Sequence, residues 1–199
     1  MLILPGGFKK PILNYILPVL GGGCLTLSFA PFNLSVLAWF SFIPFFYSLR
    51  DGKHPFLKGF IMGFVFFATL LYWIPLSDVE NALVPQVILG SFVLMIYLAT
   101  FFGFSGILYD KLNRRNHTYL FPFVFAGLEF LRSLSSVWGF PWGSVGFSQG
   151  NLIYLVQFAS IGGFPLVTLW VIFLNVFIYL FFTSLNKRDK GKTIYPVLF

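Results

Sequence analysis

The sequence predicts an all-α fold: a polytopic membrane helical bundle of six transmembrane helices plus the start of a seventh. Three observations carry that expectation. The 199 residues are 58% hydrophobic and only 10% charged, against about 25% charged residues in an ordinary soluble domain. Mean hydropathy is +0.86, so a water-soluble fold of this size could not cover its apolar surface, and a bilayer is the natural solvent. The basic residues fall in clusters between the apolar stretches: Lys9 and Lys10; Arg50, Lys53 and Lys58; Lys111, Arg114 and Arg115; Lys187, Arg188, Lys190 and Lys192. Such clusters mark the cytoplasmic ends of spans. The net charge of +7 is therefore a topology signal. No nucleic-acid partner is expected, because there is no continuous basic face.

Each element follows in order. Residues 12–30 form a first span, with Lys9 and Lys10 holding the amino terminus on the cytoplasmic side. The apolar run is too long for a cleaved leader, and no small-x-small site follows it. Pro31-Phe32-Asn33 makes a tight outer turn, and 34–49 returns to a basic inner loop. Residues 57–76 go out again to a loop carrying Asp78 and Glu80 but no Lys or Arg. Residues 85–108 come back, and 118–134 go out. The stretch 152–184 is too long for one span and too short for two of about 20 residues. Gly162, Gly163 and Pro165 interrupt it. One span at 164–184 keeps the Lys187–Lys192 cluster with the other basic loops, so 152–161 is read as an interfacial or re-entrant piece. Thr193–Phe199 (TIYPVLF) looks like the opening of a seventh span, and the chain reads as cut short. No soluble domain is expected.

Charges inside spans are costly and usually functional. Glu129 and Arg132, three apart in Gly127-Leu128-Glu129-Phe130-Leu131-Arg132, share a helix face and can pair. They form either a structural ion pair or part of a lipid or headgroup site. The loop running through Trp138, Phe140, Pro141, Trp142 and on to Gln149 is apolar yet rich in glycine. It is either an aromatic belt at headgroup depth or part of a mouth through which an amphiphile enters from the membrane plane. Trp73 lies at the same depth and could face it. The 29 phenylalanines suit lipid-facing packing.

A self-sufficient catalytic centre is not expected. Cys24, the one cysteine, follows three glycines with no acid, lysine or histidine near it in sequence, and a thiol nucleophile needs such partners. It reads as a small packing residue. His54 and His117 sit in basic loops and belong to no metal-spaced set. Neither a metal nor another cofactor is expected. Gly21–Gly23 and Gly162–Gly163 suit close helix approach or a bend.

Leu27-Ser28-Phe29-Ala30-Pro31-Phe32, Tyr72-Trp73-Ile74, Leu128-Glu129-Phe130-Leu131-Arg132, and Gly139-Phe140-Pro141-Trp142 followed by Gly146-Phe147-Ser148-Gln149 occur in that order. Together they resemble the amino-terminal membrane domain of bacterial apolipoprotein N-acyltransferases, over essentially the whole chain. The resemblance implies a multi-pass protein of the bacterial inner membrane, with membrane lipids around it. It also implies two substrate partners: a phospholipid acyl donor and a diacylglyceryl apolipoprotein, whose free α-amino group receives the acyl chain. It implies ping-pong transfer through a thiolate in a nitrilase-like domain with a Glu–Lys–Cys triad, which has no counterpart in these residues. Cys24 lies in the wrong segment to be that nucleophile. A fragment, a truncated reading frame or a split protein is expected, inactive alone. In that setting Trp73, Trp142, Glu129 and Arg132 would shape or brace a substrate entrance bordered by the aromatic loop. Two other classes stay open: a small multi-pass transporter, against which the nearly charge-free first four spans count, and a non-catalytic membrane scaffold.

Overall fold

Proline, glycine and terminal charge set where the helices begin and end. The computed structural model describes residues 12–78, 80–134 and 139–188, and every regular element among them is helical. Helix α1 is Leu13–Leu27, α2 Phe42–Ser48, α3 Pro55–Leu70, α4 Val84–Arg114, α5 Phe121–Leu134 and α6 Ala159–Arg188. Pro55 opens α3, where its missing N–H costs nothing. Lys111 and Arg114 occupy the last turn of α4, at the negative end of its dipole. Helix α6 bends at Gly163, whose φ of 64° is readily reached without a Cβ. Pro165 follows and leaves one carbonyl of that turn without its N–H. The breakers read from the sequence therefore mark a kink at which a short segment before Gly163 meets the long helix that follows. The expected seventh segment and the Lys190 and Lys192 end of the last basic cluster lie outside the described residues.

Pro55–Leu76, Val84–Arg114 and Ala159–Leu185 are long and apolar enough to cross a membrane, and Leu13–Leu27 is a shorter apolar helix. The stretch 34–49 is not one continuous helix. It divides into a 3-10 turn, Ser35–Trp39, followed by α2 and a second 3-10 turn, Leu49–Asp51. Pro44 near the start of α2 has no N–H to give the preceding turn. Asn175 of α6 mends the break: its Oδ1 accepts from the Phe42 N–H at 2.9 Å, and its Nδ2 donates to the Ala38 carbonyl at 2.8 Å. Asn175→Leu removes both partners inside an apolar interior. It should lower stability by about 1–3 kcal/mol, read as a fall in thermal midpoint in detergent, and Asn175→Asp should lose at least as much, because a buried carboxylate there faces the Ala38 and Val171 carbonyls.

The interior is built from phenylalanine. Phe42, Phe45, Phe46, Phe66, Phe67, Phe102, Phe121 and Phe125 are all buried. Most meet edge-to-face or tilted, Phe42 to Phe125 at 4.9 Å and Phe66 to Phe67 at 4.8 Å between centroids, geometries that suit the ring quadrupole. The expectation that phenylalanine serves the lipid face is thus half of the matter. Phe92, Phe104, Phe123 and Phe177 are exposed, while the eight above hold the bundle together.

Backbones approach closely where glycine allows it. A Cβ on Gly22 would lie 2.5 Å from the Met62 carbonyl oxygen, and one on Gly59 2.2 Å from that of Phe102. The α1–α3 and α3–α4 seams therefore require glycine at these points. At the end carrying the basic loops, buried Lys58 pairs with Asp51 and donates to the Ser48 carbonyl, and Asn14 donates to Asp51 at 2.7 Å. Burial works against the Asp51 charge. Donors from Lys58, the Lys53 N–H and Asn14 outweigh it and hold the carboxyl below its ordinary range. Arg114 pairs with Asp110 at 2.7 Å. Those contacts place the opposite end of the bundle, beyond Leu27 and Leu70, on the far side from the basic loops.

Candidate functional site

The far end is organised around one buried acid. Glu129 of α5 is 3% exposed and Arg132, one turn on, is 1% exposed. Their side chains lie 3.8 Å apart. Glu129 uses both oxygens on other elements: one accepts from the Val145 N–H at 2.9 Å, the other from the Thr168 hydroxyl of α6 at 2.7 Å. Thr168 in turn accepts from the Gly146 N–H at 2.9 Å. Arg132 donates to Ser144 Oγ at 3.1 Å and to the Trp142 carbonyl at 3.4 Å, with its guanidinium 5.3 Å from the Phe67 ring centroid. The pair thus pins the loop between α5 and α6. Isolated buried charges are costly, and these are tolerated because hydrogen bonds surround them.

Local chemistry shapes the loop that is pinned. Gly143 takes a φ of 73°, the left-handed conformation glycine reaches without strain. The Ser144 N–H and hydroxyl both donate to the Pro141 carbonyl, at 3.2 and 2.8 Å. The Phe140 N–H donates to the Arg132 carbonyl. At the other end of the loop, Gln149 is fully buried. Its Oε1 accepts from Trp39 Nε1 at 2.9 Å and its Nε2 donates to the Ser35 carbonyl at 3.1 Å. The loop is therefore tied to α5, to α6 and to the Ser35–Trp39 turn.

What this bracing presents is an aromatic wall. The Trp73 and Trp142 rings stand 5.8 Å apart, and Phe140 packs at 5.8 Å on Trp142. Trp73 is 45% exposed and Trp142 51%. Beside them opens an apolar cleft of ≈ 470 Å³, walled by Phe29, Pro31, Leu70, Trp73, Trp142 and Phe147 among others. Of the residues singled out from the sequence, Trp73 and Trp142 line the cleft. Phe140 and Pro141 support Trp142, while Glu129, Arg132 and Gln149 lie buried behind the wall. Trp138 lies outside the described residues. Sequence reasoning missed Thr168, Ser144 and Trp39. Thr168 carried a signal, a hydroxyl inside an apolar span; Trp39 carried none.

The described lining of the cleft is aliphatic and aromatic. Among the described residues no group of three His, Cys, Asp or Glu side chains could hold a metal ion. Cys24 is a free, half-buried thiol on α1. The Glu129 carboxylate is enclosed by its partners.

Such a fold and site define a class: an all-helical, membrane-capable domain presenting an apolar cleft walled by a braced aromatic loop. The family described as "Apolipoprotein N-acyltransferase N-terminal domain" matches residues 21–177, and the chain belongs to that family. It is similar to the apolipoprotein N-acyltransferases of Geobacter metallireducens (30% identical, covering 94% of this chain and 36% of the relative) and Coxiella burnetii (33%, covering 88% and 38%). That of Thermotoga maritima is 31% identical, covering 96% of this chain and 39% of the relative. The chain spans under two fifths of the length of these curated relatives.

Proposed function

We propose that these residues are the membrane domain of an apolipoprotein N-acyltransferase, and that they receive lipid substrates for a reaction whose chemical groups lie outside them. The substrates are a phospholipid acyl donor and the diacylglyceryl end of an apolipoprotein. In this reading the bundle crosses the inner membrane six times, with the amino terminus and both charged ends cytoplasmic. The 34–49 stretch crosses as a broken helix mended by Asn175, and residues 152–161 lie along the outer interface.

The observation that carries the proposal is the cleft beside Trp73 and Trp142. Its volume of ≈ 470 Å³ suits a ligand site, and its walls suit acyl chains. It lies at the end of the bundle away from the basic loops. Two half-exposed indoles there match the depth at which amphipathic rings meet headgroups, so a donor's tails would pack below them and its ester would lie near them. Glu129 and Arg132 act one step back, by fixing the backbone that carries Trp142.

A phospholipid with a photoreactive group on its acyl chain tests this directly. Labelling should concentrate in peptides containing residues 29–31, 70–73 and 142–147. Trp142→Ala should reduce it several-fold, whereas Leu89→Ala, on the exposed face of α4, should leave it unchanged. Labelling spread evenly over the exposed helices would refute the cleft as the lipid entrance. Where apolipoprotein N-acylation is itself measurable, Trp142→Ala and Arg132→Ala should both impair it.

A further inference from the structure

We propose that Arg50, with Tyr47, Tyr179 and Tyr109, forms a binding site for the phosphate of an anionic phospholipid in the leaflet on the side of the basic loops. This site is at the opposite end of the bundle from the cleft and does not depend on acyl transfer. The Arg50 guanidinium carbon lies 4.8 Å from the Tyr47 ring centroid and 5.8 Å from that of Tyr179. Stacking of this kind grips the planar cation by its face and leaves its N–H edge available for an oxyanion.

The surrounding charges leave that edge open. Among the described residues the ion pairs are Lys58–Asp51, Arg114–Asp110 and Arg132–Glu129. Asp51 and Asp110, the described carboxylates at this end, are thus already engaged by other cations. Arg50 takes part in none of these pairs and is exposed at the head of the basic loop.

A buried donor stands in the same cluster. Phe46 stacks on Tyr109 at 4.6 Å and meets Tyr179 at 5.4 Å. Tyr109 is 1% exposed, and its hydroxyl has no hydrogen-bond partner among the described residues, although a buried phenol ordinarily finds one. The Tyr179 hydroxyl is the polar group nearest in effect, within loose hydrogen-bonding reach, and Arg50 acts on it from further off. An oxyanion on Arg50 brings negative charge and strong acceptors to a cluster whose polar groups are a guanidinium and phenol hydroxyls.

A lipid fits better than free phosphate because an apolar wall adjoins the cation. Ile43, one helical turn from Tyr47 toward the bilayer centre on α2, is half-buried and offers an acyl chain a surface below the headgroup. Anionic headgroups are also the negative charges that a juxtamembrane arginine meets.

The full chain in phosphatidylcholine nanodiscs containing a minority of phosphatidylglycerol provides the test, with retained lipid counted by native mass spectrometry. The wild-type chain should retain phosphatidylglycerol in preference to phosphatidylcholine. Arg50→Gln should lower that retention about tenfold, the order expected for losing a charge-assisted contact. Arg50→Lys, which keeps charge without the planar stack, should fall between. Arg115→Gln, an exposed arginine in none of these ion pairs, should match wild type, and unchanged thermal unfolding checks that each variant is folded. Equal retention by Arg50→Gln, or equal retention of both lipids by wild type, overturns the site. Displacement of phosphatidylglycerol by millimolar inorganic phosphate overturns the lipid assignment in favour of a free anion.

Discussion

Glu129→Ala should destabilise the protein by about 3–5 kcal/mol, the cost of leaving one member of a buried ion pair behind. The lost carboxylate is the partner of Arg132, of the Val145 N–H and of the Thr168 hydroxyl. Its removal strands a cation, a backbone donor and a hydroxyl together. The loop should loosen first, because the Gly146 N–H is held only through Thr168 in the same chain of bonds. Thermal unfolding in detergent reads the global loss, and faster proteolysis within residues 139–149 reads the local one. Glu129→Gln keeps a carbonyl for one of the donors and should fall between alanine and wild type. A change under about 0.5 kcal/mol, the range of an ordinary surface substitution, would show that the pair does not hold the loop.

Gly59→Ala is the second large effect expected, and it acts through the backbone. The added Cβ would meet the Phe102 carbonyl oxygen at 2.2 Å and its carbon at 2.9 Å. Neither atom belongs to a flexible side chain that could swing aside, so α3 and α4 must move apart. That seam also carries Gly63 and Phe102, so separation there disturbs the phenylalanine interior as well. Overpacking of this kind costs about 1–3 kcal/mol, and Gly59→Val, with two further carbons, should exceed it. Gly90→Ala provides the control. Its Cβ would meet nothing within 4 Å, and exchanging glycine for alanine inside a helix should raise stability slightly.

The two substitutions differ in how far the sequence foretold them. Glu129 and Arg132 stood out at once, since two charges three residues apart in an apolar stretch have few reasons to be there. Helical spacing put them on one face. It could not say whether that face looks onto lipid or onto protein, and the answer lies in residues 16 and 39 positions away, Val145 and Thr168. Gly59 carried no such mark, as its meaning depends on the carbonyl of Phe102 in another helix. Gln149 is similar: its partners Trp39 and Ser35 lie more than a hundred residues earlier.

The family was legible because its marks are local. The short ordered runs around Pro31, Trp73, Glu129 and Trp142 are read along the chain, and the match over residues 21–177 agrees with them. The cleft was legible only in part. Trp73 and Trp142 could be placed at one depth from the apolar spans that precede them, but their 5.8 Å approach required the loop to be folded back and fixed.

By itself the sequence determined what composition and periodicity can determine: an all-helical chain, apolar enough for a bilayer, with its positive charge gathered between apolar stretches. Those properties follow from side-chain transfer energies and from a repeat of 3.6 residues, and both act over short distances along the chain. Tertiary structure decided which phenylalanines are core and which face outward, and that Pro44 breaks one helix which Asn175 then mends. It also decided that the charged pair in α5 braces a wall and does not line the cleft. Those outcomes depend on which helix faces which, a relation between distant residues that hydrophobic pattern in a nearly all-apolar chain leaves undetermined.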